Sequence, residues 1–330
     1  MVSDGVITDS LPRRPRVLPG LAVLLRRPGE IQVGTDPRHA VVIDGLPPAF
    51  IDELLDLDGR HTITELGERV RARGENADDL LDLLSRLRAA GLVEESTGVP
   101  PALAADATSW TLRTGHPTYG IAEAREHACV VVHGDGRLAV ATASLLAASG
   151  VGRVQVVAGG AVGPQDTGCG YLVSDIGRPR REAAAEAIRR ASSTTRLKPG
   201  VPDVVVLADA MVTRPDLVGE LMTERVPHLA VRVREGVGLV GPLVLPGRTS
   251  CLRCADLHRA DRDPCWPAVA AQLVDRPQPA DLIAASATAA LAVGQVLLAL
   301  DLNRVVQTSP SAVNTTIEID PLRGIVDRRT

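Results

Sequence analysis

The chain has 330 residues, 45% of them hydrophobic and 23% charged, enough for two domains that each bury a core. A formal net charge of −4 argues against a general binder of nucleic acid or of anionic membrane, and five cysteines with a single C-x-x-C point to a reducing compartment rather than a disulfide framework. Of the 36 basic residues only Lys198 is a lysine, and it sits in a Pro-Gly turn sequence, so chemistry that needs an ammonium on a triphosphate has one candidate.

Met1 to Ser10 has no basic start followed by an apolar core, so no signal peptide is expected and the protein is read as cytoplasmic. A first domain is expected over residues 15–95. It opens with three short strands, Leu21 to Leu25, Glu30 to Val33 and Ala40 to Ile43, separated by Pro28-Gly29 and Thr35-Asp36-Pro37. Three helices follow. The first starts after Pro47-Pro48 and stops at Asp58-Gly59; the second opens on Thr62-Ile63-Thr64-Glu65, a capping box. The third runs from Ala77 to Ala90 with Leu80, Leu81, Leu83, Leu84 and Leu87 apolar and Gly91 as its cap.

A small sheet with three short helices is a winged-helix pattern, and such folds often bind DNA. Here the third helix begins with Asp78, Asp79 and Asp82, the wrong sign for phosphates. The remaining use of the pattern is peptide capture. An extended ligand would add a strand to the edge formed by Ala40, Val41, Val42 and Ile43, while the third helix, with Asp79 and Leu83, forms the wall beside it. Ser96 to Pro101 and the small-residue stretch that follows have no period, so 96–115 is expected as a linker and 116–330 as the second domain.

The second domain begins with a nucleotide-cradle sequence. Cys129 to Val132 is a β-branched run, Gly134-Asp135-Gly136-Arg137-Leu138-Ala139 is a G-x-G-x-x-A turn, and Leu138 to Ser149 reads as an apolar helix ending at Gly150. The next strand, Arg153 to Val157, should deliver an acid to a ribose. It delivers Ala158-Gly159-Gly160, and the next acid is Asp166. The same gap disfavours a nicotinamide cofactor. Leu282 to Leu300 carries no charge but is mostly alanine, which reads as a buried helix rather than a membrane span. Cys251-x-x-Cys254 is half of a tetrahedral zinc site, and no cysteine follows Cys265. A local set of Cys251, Cys254, His258 and Cys265 would complete it, though its spacing matches no common zinc module, so zinc is left open.

The order of strand, Gly134 to Ala139 turn, Leu145 to Val154, Asp175 to Arg180, Val226-Pro227-His228-Leu229, Val240 to Gly247 and Thr249 to Arg259 resembles the ThiF-like, E1-like adenylyltransferases. Within that superfamily it is similar to the proteins of azole-peptide (bacteriocin cyclodehydratase) pathways. The resemblance implies an α/β, E1-like Rossmann-type sheet with a smaller N-terminal winged-helix domain that recognises a ribosomal precursor (leader) peptide. It also implies a separate YcaO-type cyclodehydratase as partner, and a homodimer. Active members carry an acid at Ala158 to Gly160, an arginine near Gly163-Pro164-Gln165-Asp166, and a lysine where this chain has Arg180 or Arg181. Gly134, Gly136, Ala139 and Asp209 are therefore expected as a vestigial nucleotide site. Asp209 would either hold magnesium or cap the helix that begins near Arg214 or Pro215.

The combined expectation is a non-catalytic scaffold that binds a leader peptide, with no catalytic residue, no ATP and no cofactor. The alternative is an active ThiF-like adenylyltransferase that activates a carboxylate with ATP.

Overall fold

The computed structural model describes residues 11–96, 98–115, 118–274, 276–301 and 310–329, so Met1 to Ser10 lies outside the described residues. Proline and glycine punctuate the first of two units, Met1–Ala122, into short elements. Strands β1 (Pro15–Val17), β2 (Val23–Arg27), β3 (Glu30–Val33) and β4 (Val41–Ile43) come first. Helices α1 (Pro48–Leu55), α2 (Ile63–Ala72) and α3 (Ala77–Ala89) follow, and β5 (Val93–Glu95) returns to pair antiparallel with β1.

Caps set where these helices begin. The Thr62 hydroxyl accepts the Glu65 N–H at 3.2 Å while the Glu65 carboxylate accepts the Thr62 N–H at 2.7 Å, the capping box read from sequence. Asn76 starts α3 by accepting the Asp78 N–H at 3.1 Å. The apolar faces so aligned bury Ile31, Val33, Phe50, Leu54, Leu80 and Leu84 in one cluster. Each such side chain contributes roughly 1.5–3 kcal/mol of transfer free energy.

The stretch expected as an aperiodic linker is structured. After one 3₁₀ turn, α4 (Ala104–Thr114) buries Ala107, Thr108 and Thr111, and Leu112 packs against the first unit's core. Its buried face is made of one alanine and two threonines, so no hydrophobic period announces it. The division between units falls after Ala122, inside α5 (Thr118–His127).

The second unit, Glu123–Thr330, is built on one seven-stranded sheet. In chain order its elements are β6 (Cys129–His133), α6 (Arg137–Ala148), β7 (Arg153–Val157), α7 (Arg180–Ala191), β8 (Val204–Ala208), α8 (Pro215–Thr223), β9 (His228–Arg234) and β10 (Val237–Val244). Then come α9 (Leu252–Arg262), α10 (Trp266–Leu273), α11 (Leu282–Asp301), β11 (Thr316–Asp320) and β12 (Ile325–Arg329). The strand order is β12-β11-β10-β9-β8-β6-β7. β7, β6, β8 and β9 are parallel, and β10 to β12 extend the sheet antiparallel.

Continuous valine runs in β6 and β8 fit strands covered on both faces. Helix α11 packs against α6 and lies along β9 and β10, with Ala284, Ala285, Ala289, Ala292 and Val296 buried. Leu282–Leu300 is long and apolar enough to cross a membrane, and in this fold it forms part of the core. The architecture is thus α/β with a Rossmann-type sheet, as the sequence implied. Crossovers of this kind place ligand clefts beyond the C-terminal ends of the parallel strands.

Candidate functional site

The cleft at those ends has a volume of about 360 Å³ and is lined by His133, Gly134, Asp135, Gly159, Thr213 and Arg214 among others. Gly134 lines it, and Gly136 follows at the start of α6. A Cβ at Gly134 would stand 2.5 Å from an oxygen of Asp209 and 2.9 Å from the Ala139 methyl, and one at Gly136 would stand 3.0 Å from the other Asp209 oxygen. The close approach that glycine permits in this loop is therefore made by the chain's own carboxylate.

Asp209 accepts the Gly136 N–H at 2.9 Å, at the start of α6. This corrects one sequence expectation: Asp209 does not cap the helix at Arg214, whose side chain and backbone start α8 without a side-chain cap. Instead it reaches across the sheet to a different helix start. Two forces favour the arrangement, the unpaired N–H groups of a helix N-terminus and its partial positive charge. Asp209 is buried, sits in the left-handed region at φ 71, and its carboxyl is pushed up to about 6. Burial is the main cause, Asp135 and Asp166 add to the rise, and the Gly136 N–H and Arg180 oppose it.

The neighbouring groups are also engaged with one another. Asp135 accepts the Gly159 N–H at 2.7 Å, which ties the acid-free end of β7 to the glycine loop. Arg180 is one of the two residues expected where the resemblance puts a lysine. It donates to Asp166 at 2.8 Å and to the Gly159 carbonyl at 3.1 Å, so its charge is already matched. Arg181, the other sequence candidate for that position, lines a separate groove with Val154 and Leu197. Arg214, at the rim, pairs with Asp216 at 3.0 Å. The acid that lines the cleft is Asp135, and Arg180, which is partly buried, is held by Asp166.

The expected metal set is not assembled. The Cys251 and Cys254 sulfurs lie 3.4 Å apart at the start of α9, and hydrogen bonding from Cys251 holds the Cys254 thiol below its ordinary range. His258 and Cys265 do not complete a cluster with them. Among the described residues no group of three or more His, Cys, Asp or Glu side chains is placed to hold a metal ion.

At the other expected site, β4 is an edge of the three-stranded sheet, paired only with β3 among the described strands. Ala40, Val41 and Ile43 are partly buried and Val42 is 47% exposed. The register Leu24, Gln32, Val42 puts Val42 in one cross-strand row with Leu24, which is 43% exposed. Asp79 is exposed on α3. Leu83, expected as part of a ligand wall, is 9% exposed and belongs to the unit's own core. On α3 the leucine spacing serves packing within the unit.

One charged residue went unread in the sequence. Arg232 lies on β9 in His228-Leu229-Ala230-Val231-Arg232-Val233-Arg234 and is only 6% exposed. Its signal was an arginine at a period-2 position of an otherwise buried strand.

No family model and no curated protein matches the chain. Solved structures do. E. coli MccB with ATP matches with a TM-score of 0.68 at 15% identity, over 96% of each chain. E. coli MccB with MccA-N7isoASN matches with a TM-score of 0.67 at 14% identity, again over 96% of each chain. PaaA matches with a TM-score of 0.66 at 17% identity, over 94% of this chain and 98% of its own. The strand order, the glycine turn and these likenesses agree: the chain has the ThiF/E1-like adenylyltransferase fold, shared with MccB and PaaA.

Proposed function

We propose that the chain binds an extended leader segment of a ribosomal precursor peptide and presents it to a separate YcaO-type modifying enzyme, without adenylylating a substrate itself. The observation that carries the binding half is the β4 edge, short and paired on one side only among the described strands, with Val42 and Leu24 exposed in one row. Backbone pairing along such an edge gives affinity and the exposed row gives choice of side chain. Asp78, Asp79 and Asp82, all exposed at the start of α3, favour a ligand with basic residues nearby. MccB, which has this fold, has been solved with N-formylated MccA.

The non-catalytic half is supported by the occupied glycine loop. Asp209 fills the approach to Gly136, and Arg180 is matched by Asp166. Losing each charged hydrogen bond to a nucleotide weakens binding by roughly 1.5–3 kcal/mol, so several losses together remove useful affinity. The second reading, an active adenylyltransferase, is favoured by the retained turn and its cleft, and by MccB having been solved with ATP. It requires Arg180 to leave Asp166 and Asp209 to exchange Gly136 for a magnesium ion.

The peptide half is tested by NMR titration of the full chain with the precursor peptide encoded beside its gene. Shifts centred on Val41–Ile43, weakened up to about tenfold by Val42→Pro as one main-chain hydrogen bond is lost, are the expected result. An absence of shifts there, or shifts only with duplex DNA, would overturn it.

A further inference from the structure

A second cavity, about 560 Å³ in volume, opens in the E1-like unit between α8, α9 and β9. Its walls are mainly apolar, with Met211, Val218, Met222, Pro242 and Leu252, and methionine walls adapt to ligands of varied shape. Arg232 lines it from β9. Its side chain is more than nine-tenths buried, and its Nε has no hydrogen-bond partner among the described residues.

The charges around Arg232 do not neutralise it. The acid that acts on it is Asp256, and Asp256 already accepts from Arg259 at 2.7 Å and from the Trp266 indole N–H at 3.3 Å. Arg259 in turn stacks 5.2 Å from the Trp266 ring centroid. Arg253 is exposed, and Arg234 adds positive charge from the same strand face. Burial, with Arg259 and Arg234 behind it, lowers the Arg232 guanidinium to about 10. A buried guanidinium left without a counter-ion is costly, and a fold retains one where something else brings the charge.

We infer that this cavity binds a carboxylate carried on an apolar group, with the Arg232 guanidinium as its counter-ion. One buried uncompensated positive charge calls for a monoanion, and the planar fork of arginine fits the two oxygens of a carboxylate. Apolar walls take the group that bears it. The carboxylate has two chemical sources, a free aliphatic acid or the C-terminal residue of a peptide. The inference is independent of the β4 edge and of the nucleotide question, since it uses none of their residues.

The test is thermal unfolding and calorimetry of the full-length protein with three probes: hexanoate, a short peptide ending in leucine with a free carboxylate, and the same peptide amidated. Stabilisation by hexanoate assigns the site to a free acid, and stabilisation by the free-carboxylate peptide alone assigns it to a peptide end. Either supports the inference. Arg232→Met keeps the bulk and removes the charge; it should weaken binding about 10- to 150-fold, the weight of one charge-assisted hydrogen bond, and should leave the ligand-free protein at least as stable as before. Arg232→Lys, which keeps the charge without the fork, should bind between the two. Equal binding of the amidated peptide, unchanged binding in Arg232→Met, or no stabilisation by any carboxylate would each overturn it.

Discussion

Burial raises the Asp209 carboxyl from 3.8 to about 6, and the sign of its effect on stability follows. The folded protein holds this proton more tightly than the unfolded chain, so stability falls as pH rises from 3.8 through about 6 and the loss is complete above that. Asp209→Asn keeps an oxygen to accept the Gly136 N–H, and asparagine tolerates the left-handed backbone at this position. The variant is expected to gain roughly 1–3 kcal/mol at about pH 7 and nothing near pH 4, read by urea unfolding at the two pH values. Destabilisation at the higher pH would show that the charged carboxylate is a net structural asset. From sequence, the Gly134 to Ala139 turn, the acid gap at Ala158 to Gly160 and the survival of Asp209 were all legible. Asp209's partner was not, because Gly136 lies 73 residues away and is brought close by the parallel pairing of β6 with β8. Arg232 shows the same limit: an arginine in a strand gives no hint of which face a neighbouring helix will cover.

Among elements, those that announce themselves have local causes. The α2 capping box closes within four residues, and Thr62→Ala should cost about 0.5–2 kcal/mol in chemical denaturation with no change in the spectrum of the folded state. An unchanged midpoint would mean that packing of Leu66 and Val70 alone sets that helix. Elements without local causes were hidden. β1 and β5 are three residues each, with no alternation to read, and pair across the whole first unit in the register Pro15 to Glu95. Helix α4 buries Ala107, Thr108 and Thr111, small and polar side chains in place of an apolar period. β11, by contrast, alternates Thr316-Ile317-Glu318-Ile319-Asp320, a local period of two that went unread. The paired thiols at the start of α9 have no third ligand placed beside them among the described residues. Purified protein is therefore expected to hold zinc well below one equivalent per chain, by elemental analysis. A full equivalent lost on changing His258 or Cys265 would establish the local four-ligand site instead.

For the whole molecule, the fold resemblance leads us to propose a homodimer with an interface of obligate size, which in general exceeds roughly 2,000 Å². Light scattering at micromolar concentration should report twice the mass of the 34.7 kDa chain. A monomer there would remove both the dimer and any supply of nucleotide contacts from a second subunit. We propose that the E1-like unit keeps the adenylyltransferase architecture without its nucleotide chemistry. Calorimetry of the full chain with magnesium and ATP is the test. The occupied loop at Gly136 and the matched Arg180 predict no heat of binding at millimolar nucleotide. A saturable isotherm with a micromolar dissociation constant, abolished by Asp209→Ala, would contradict the claim and select the active adenylyltransferase.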